Sequence, residues 1–269
     1  MNLEFKNMKV SVDSQDYYAE SVSISEGIDL NYFSPLGTKS QGVVTLGPPE
    51  GTVAINFYVT SGSEIDNIKN SYGSTGFNEV KAGPFVMNKA CLTSFSVGGD
   101  PASIIKGSLT YNYYGQMSSG SSPSKGDITI SPAHGASSSG QLDSVGVTRF
   151  LNFEYSFEQS FDVKYSMSGE QPNKVVFVGG SQSLSLDVLM SDVNFEKTNL
   201  TGASGFCVSQ SGFAERVAEV NLYNLCSEHV ADLPISGYLK ERSISTSPGA
   251  EVIESITVTQ KYVKDEGCT

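Results

Sequence analysis

The chain has 269 residues, of which 38% are hydrophobic and only 17% charged, with 27 glycines, no tryptophan and a formal net charge of −12. The acidic balance repels phosphate backbones and excludes a nucleic-acid grip, while low charge with abundant Gly and Ser excludes a helical bundle. The length suits two domains of about 100–130 residues, each able to bury its own core.

The first stretch, MNLEFKNMKVSVDSQ, has no apolar h-region, and no run of the chain approaches the length that crosses a bilayer. A soluble protein with no membrane partner is the expectation. Next comes SISEGIDLNY (Ser23–Tyr32), where Val22, Ile24, Ile28, Leu30 and Tyr32 alternate with polar residues as in a strand with one buried face. The Glu26-Gly27 step is a candidate kink or bulge. VVTLGPPEGTVAINFYVTS (Val43–Ser61) supplies a further strand through Val53, Ile55 and Phe57. In SGSEIDNIKNSY, Ser63 and Asp66 have capping-box spacing and Ile65 and Ile68 lie three apart, which predicts a short helix. TSFSVGGDPASIIKGSLTYNYY (Thr93–Tyr114) closes the first half with two strands around a Gly/Pro turn.

Residues 117–146 are rich in Gly, Ser and Pro and read as a linker or long loop, in which Ile128–Ile130 is a candidate edge strand. The second half then repeats the first. SFEQSFDVKY (Ser156–Tyr165) answers Ser23–Tyr32 at a spacing of 133, and VVFVGGSQSLSLDVLMS (Val175–Ser191) answers Val43–Ser61. RSISTSPGAEVIESITVTQKY (Arg242–Tyr262) answers Thr93–Tyr114. SGFAERVAEVNLYNL places Phe213, Val217 and Val220 on one helical face, and Gly202–Leu225 reads as an insertion confined to this half. Three matching blocks in one order predict a tandem duplication: a mainly β chain of two similar β-sandwich or barrel domains, 1–116 and 147–269, each with one short flanking helix. Ile24, Ile28, Leu30, Phe157, Phe161 and Val163 are the expected core.

Chemistry is sparse. Among four cysteines, Cys91, Cys207, Cys226 and Cys268, the spacing matches no zinc pattern, and buried or free thiols are expected, although Cys207 and Cys226 stay open as a pair. His134 and His229 are the only histidines, each expected as a solvated or structural side chain. No nucleophile elbow, HExxH, P-loop or GxGxxG occurs. Asp29 and Asp162 are equivalent in the duplication and are expected as outward-facing strand residues rather than a catalytic pair. Tyr17, Tyr18 and Tyr111–Tyr114 are the candidates for a sugar-stacking platform, against which stands the absence of Trp. Asn199–Thr201 is a formal glycosylation sequon, read as accidental. No catalytic, cofactor-binding or metal-ligating residue is assigned, no cofactor is expected, and the chain is not expected to be an enzyme.

The strand blocks AESVSISEGIDLNYFSPLG, GTVAINFYVTS and CLTSFSVGGDPASIIKGSLTYNYYG resemble virion structural proteins of tailed bacteriophages, in particular the duplicated β-sandwich of tail-tube and baseplate-hub proteins. The resemblance implies a tail component made in the host cytoplasm and resident in the virion. It implies self-assembly into rings that form the DNA conduit, with other virion proteins as further partners. For a duplicated chain it implies homotrimer rings of pseudo-sixfold symmetry, with interfaces of roughly 2,000 Å² or more. A host-facing receptor- or glycan-binding β-sandwich, or a head or neck decoration protein, is the alternative.

Overall fold

The alternation read in the sequence becomes strands because each buries one row of side chains. In the segment EGTVAINFY, Val53, Ile55 and Phe57 are fully buried while the residues between them face outward. The computed structural model describes residues 9–33, 42–45, 47–120, 130–143, 145–147, 150–166, 171–189, 215–246 and 252–263. In chain order the elements of the first half are β1 (Lys9–Val12), β2 (Gln15–Gly27), β3 (Leu30–Phe33), β4 (Gly42–Thr45), β5 (Glu50–Tyr58), α1 (Gly62–Asn70), β6 (Asn78–Ala82), β7 (Phe85–Gly99) and β8 (Lys106–Tyr114). There follow β9 (Ser118–Ser119), a 3-10 turn (Gly135–Ser137), β10 (Ser139–Leu142), β11 (Val145–Val147), β12 (Phe150–Tyr165), β13 (Pro172–Leu189), β14 (Glu215–Tyr223), β15 (His229–Ser245) and β16 (Ile253–Val263).

Six strands of the first half close on themselves in the order β2-β5-β8-β7-β6-β1, every neighbour antiparallel. Closure removes the sheet edges that would otherwise invite aggregation. Tyr17, Phe57, Phe95, Tyr111 and Tyr113 fill the interior, with Tyr17 edge-on to Phe57 at 5.2 Å between ring centroids. The second half continues the same sheet, in the order β12-β13-β16-β15-β14-β10-β11. This is the neighbour order of the first half, with β11 and β12 standing where β2 stands.

The ladders agree in detail as well as in order. Val22 pairs with Ile55 and Phe153 with Leu186, so one offset carries both strands of the first pair onto those of the second. Tyr111 pairs with Leu92 and Val258 with Leu239, again with a single offset for both strands. Two bulges recur at corresponding places: Glu20 in β2 and Leu151 in β12, then Thr93 in β7 and Lys240 in β15. The β14–β15 ladder departs from β6–β7 in register.

Several sequence expectations are corrected. The helix over Phe213–Val220 does not form: Glu215–Tyr223 is β14, burying Ala218, Val220 and Leu222 at period 2, while Phe213 lies outside the described residues. Val217 and Val220 fit a helical face equally well by spacing, but pairing with β10 and β15 on either side settles the strand. Of Gly202–Leu225, residues 202–214 lie outside the described residues, and β14 lies between β10 and β15 as β6 lies between β1 and β7. In the first half the helix forms, yet its cap is two residues earlier than expected: Ser61 is the N-cap, and the Glu64 carboxylate accepts from the Ser61 and Thr60 amides at 3.2 and 2.8 Å. Of the expected core, Phe157 is fully buried and Ile24, Phe161 and Val163 are half-buried, but Ile28 and Leu30 are 44% and 43% exposed. They lie beyond the point where the β2–β5 ladder ends. Ser23–Tyr32 spans two strands in two sheets, whereas Ser156–Tyr165 lies within β12 alone. The ladders set Ile24 against Tyr155 rather than Phe157 in the correspondence. The segment 117–146 contributes β9, the 3-10 turn and β10 to the structure, and Ile130 is irregular while 128 and 129 lie outside the described residues.

Candidate interaction surfaces and clefts

The two halves meet by strand pairing. Residues Ser94–Gly99 of β7 form an antiparallel ladder with Phe153–Glu158 of β12, Phe95 opposite Phe157 with ring centroids 5.4 Å apart. β6 occupies the same edge of β7 further down, and the step between β6 and β12 exposes the Leu92 carbonyl. Gln159, only 5% exposed, fills that step: its amide nitrogen donates to Leu92 O at 2.7 Å and its oxygen accepts from Gly73 N at 2.9 Å. Tyr72, in the turn after α1, lies edge-on to Phe157 and Phe177 at 5.1 and 6.0 Å. Lys69 of α1 donates to the Asp232 carbonyl of β15 at 3.2 Å. Tertiary contacts from the first half thus cover the β12–β13 hairpin.

The first half carries an uncovered counterpart. β3 and β4 form a two-stranded ribbon paired with no other described strand. Ile28, Leu30, Tyr32 and Val43, on or beside it, are 43–61% exposed. Beside the base of the ribbon a cleft of about 590 Å³ is lined by Gly27, Ile28, Asp29, Gly47, Pro48, Glu50 and Tyr165. Tyr165 donates to the Glu50 carboxylate at 2.8 Å, and burial with that carboxylate pushes the phenol well above its ordinary pKa. A shallower polar cleft of about 460 Å³ lies over the step, with Thr93, Glu158, Gly180 and Lys261 among its walls.

The residues weighed for chemistry do not converge. His134 caps the 3-10 turn by accepting from Ala136 N at 3.2 Å. His229 is exposed and bonds Asp232 at 2.6 Å. Cys226 stands three positions before His229, a spacing overlooked in the sequence, yet among the described residues no group of three His, Cys, Asp or Glu is placed to hold a metal. Cys91 is a buried free thiol whose pKa burial pushes up to about 12, and Cys226 is a free, exposed thiol. Cys207, Cys268 and the sequon at 199–201 lie outside the described residues. Asp29 is exposed between β2 and β3 rather than in a strand, and Asp162 is exposed on β12 in an ion pair with Lys164. Tyr111 and Tyr113 are buried in the barrel and Tyr17 with them, so they offer no sugar platform; alternation on β8 turns them inward. Among the described residues no helix is long and apolar enough to cross a membrane.

No family model matches the chain, and no curated protein matches it.

Sequence reasoning missed one recurring device. Asp13, at φ 47° in the β1–β2 turn, donates its amide to Glu79 O at 3.0 Å, and its carboxylate accepts from Glu79 N at 2.7 Å and from Asn78 Nδ2. Asp143, at φ 50° after β10, donates to Val217 O at 2.7 Å and accepts from Val217 N at 3.1 Å and from Arg216 Nη1. Each hairpin turn is thereby tied to the start of the strand beside it. The signal was legible as VDSQ (Val12–Gln15) and LDSV (Leu142–Val145), since Asp tolerates the left-handed conformation and bonds nearby backbone.

Proposed function

We propose that the chain is a tandem duplication of one six-stranded barrel and serves as a self-assembling structural protein, a ring-forming component of a phage tail whose rings make the DNA conduit. The observation that carries this reading is the lateral joint between β7 and β12, which sets strands of like order beside the closed barrel by sheet pairing. The shared registers, the two recurring bulges and the paired Asp turns support the duplication. On this reading β11 and β12 are two pieces of the strand that is continuous as β2, so the second half closes as the first does. The net charge of −12 suits a lumen that DNA must pass without sticking.

A single barrel needs six copies for a sixfold ring, and a duplicated one needs three chains. Sedimentation of the concentrated protein tests this. The expected result is a species of three chains, with stacked species above it; a monomer at every concentration overturns self-assembly, and a ring of six chains overturns the trimer.

A further inference from the structure

Among the described residues, the joint inside the chain has a counterpart at each end with no strand paired to it. By the offset that relates the β7–β8 ladder to the β15–β16 ladder, the end of β15 and the residue after it hold at Glu241–Thr246 the place that β7 holds at Ser94–Gly99. By the offset that relates the β2–β5 ladder to the β12–β13 ladder, β2 holds at Val22–Gly27 the place that β12 holds at Phe153–Glu158. β7 and β12 pair with each other there. β14 follows β15 only to Tyr238, and β1 follows β2 only to Tyr18, so among the described residues these two edges have no strand beside them. An open edge is a template for another strand.

We propose that the β15 edge of one copy pairs with the β2 edge of a second copy, antiparallel and in the register of the internal joint. This rests on the self-assembly reading above and names its interface. The register sets Ser23 against Ser245, Ile24 against Ile244, Ser25 against Ser243 and Glu26 against Arg242. Each match has its precedent in the chain: Ile24 and Ile244 stand where Tyr155 meets Val97, and Ser25 and Ser243 where Ser156 meets Ser96.

Side-chain chemistry favours the match. Ile244 is 54% exposed and Ile24 half-buried, so both gain cover. Glu26 and Arg242 bring opposite charges to the position where Phe157 and Phe95 meet within the chain. Arg242 already bonds the buried Glu254 carboxylate, and a second carboxylate adds to that charge pairing. The ribbon follows directly on the β2 edge. Inside the chain the corresponding hairpin tip, with Phe177, is covered by Tyr72 of the neighbouring barrel. A pairing of unlike edges is heterologous: every copy offers one edge and accepts the other, and the series ends only when a ring closes.

The test uses the full chain with Cys207, Cys226 and Cys268 replaced by Ser, carrying Ser25→Cys, Ser243→Cys or both, and a short bifunctional thiol reagent. The expected result is covalent multimers from the doubly substituted chain, dimers from a mixture of the two single variants, and no cross-link within either single variant. Light scattering on the same samples separates the two claims. Association without cross-linking at this pair overturns the proposed joint and leaves self-assembly standing, whereas absence of association overturns both. Ile244→Lys gives an independent readout because the side chain is exposed in the chain itself. Its melting temperature is expected to stay unchanged while association weakens by about tenfold or more, and unchanged association overturns the joint.

Discussion

The β12–β13 hairpin runs unbroken from the joint out to Tyr165 and Pro172, whereas the β2–β5 ladder stops at Gly27 and Glu50 and pairing resumes only in the separate β3–β4 ribbon. The difference is written in the turn of the chain before β5. Pro48 and Pro49 have no amide donors to continue the ladder, while β13 passes through Gly179 and Gly180 with a register shift. Cover differs too. Phe177 is 5% exposed beneath Tyr72, and Tyr32 is 61% exposed. Alternation therefore decides which face of a strand is apolar, and the neighbouring barrel decides whether that face is buried. The interiors show the same trade in volume. A Cβ on Gly107 would lie 2.5 Å from the Phe57 ring, and the corresponding pair in the second half is Glu254 opposite Val188, a smaller side chain that leaves room for the carboxylate.

The largest effects are expected at the joint. Phe157→Ala should cost about 3–5 kcal/mol in urea unfolding, because a fully buried ring touching Phe95 and Tyr72 is lost. Glu26→Ala, at the corresponding but exposed place where the carboxylate accepts from Met117 N, should change stability by less than about 1 kcal/mol. Equal effects would mean that the two positions do not differ in cover. Gln159→Leu should cost about 2–3 kcal/mol by the same measurement, since it leaves the buried Leu92 O and the half-buried Gly73 N without their partner. A neutral outcome would show that water replaces the amide and that the step between β6 and β12 is not sealed.

Glu64 lies in α1, the one α-helix among the described residues. Burial raises its carboxyl pKa, the hydrogen bonds from Thr60 and Ser61 opposing. With the folded value above the unfolded one, the proton-linked stabilisation is complete in acid below the unfolded pKa and is lost as pH rises through the folded pKa. Wild-type protein should therefore gain stability relative to Glu64→Gln as the pH falls from about 7 to about 4. A gap that narrows in the other direction would contradict the burial argument. In hydrogen exchange, the β3–β4 amides should be far less protected than those of β12 and β13, because a lone two-stranded ribbon is marginal. Equal protection would show that the ribbon is covered in solution. The smallest effect is chemical: in a chain with Cys207 and Cys268 replaced by Ser, a thiol reagent should label Cys226 at once and Cys91 only after unfolding.

Much of this was legible in the sequence. Val53, Ile55, Phe57, Leu184, Leu186 and Val188 were readable as buried rows, and their spacing is the one the ladders use. Ser23–Tyr32 and Ser156–Tyr165 match in text two positions away from that spacing. A slip of one residue turns every side chain to the wrong face, but a slip of two leaves the pattern intact, so text alone does not detect it. The exposure of Ile28 and Leu30 was not legible because it depends on where the ladder ends. Nor was the role of Gln159, a polar residue in an alternating row, which acquires meaning only from the step between β6 and β12. The Asp13 and Asp143 turns were legible, since both carry Asp-Ser directly after an apolar strand residue.

On the proposed reading, two like barrels are joined laterally and copies of the chain extend the series. Cryo-electron microscopy of the concentrated protein tests it most directly. The account predicts closed rings of three chains, with six barrel-sized lobes of two alternating kinds and a continuous ladder across each boundary between copies. Isolated chains, or rings in which neighbouring copies meet through surfaces other than the β2 and β15 edges, would contradict it.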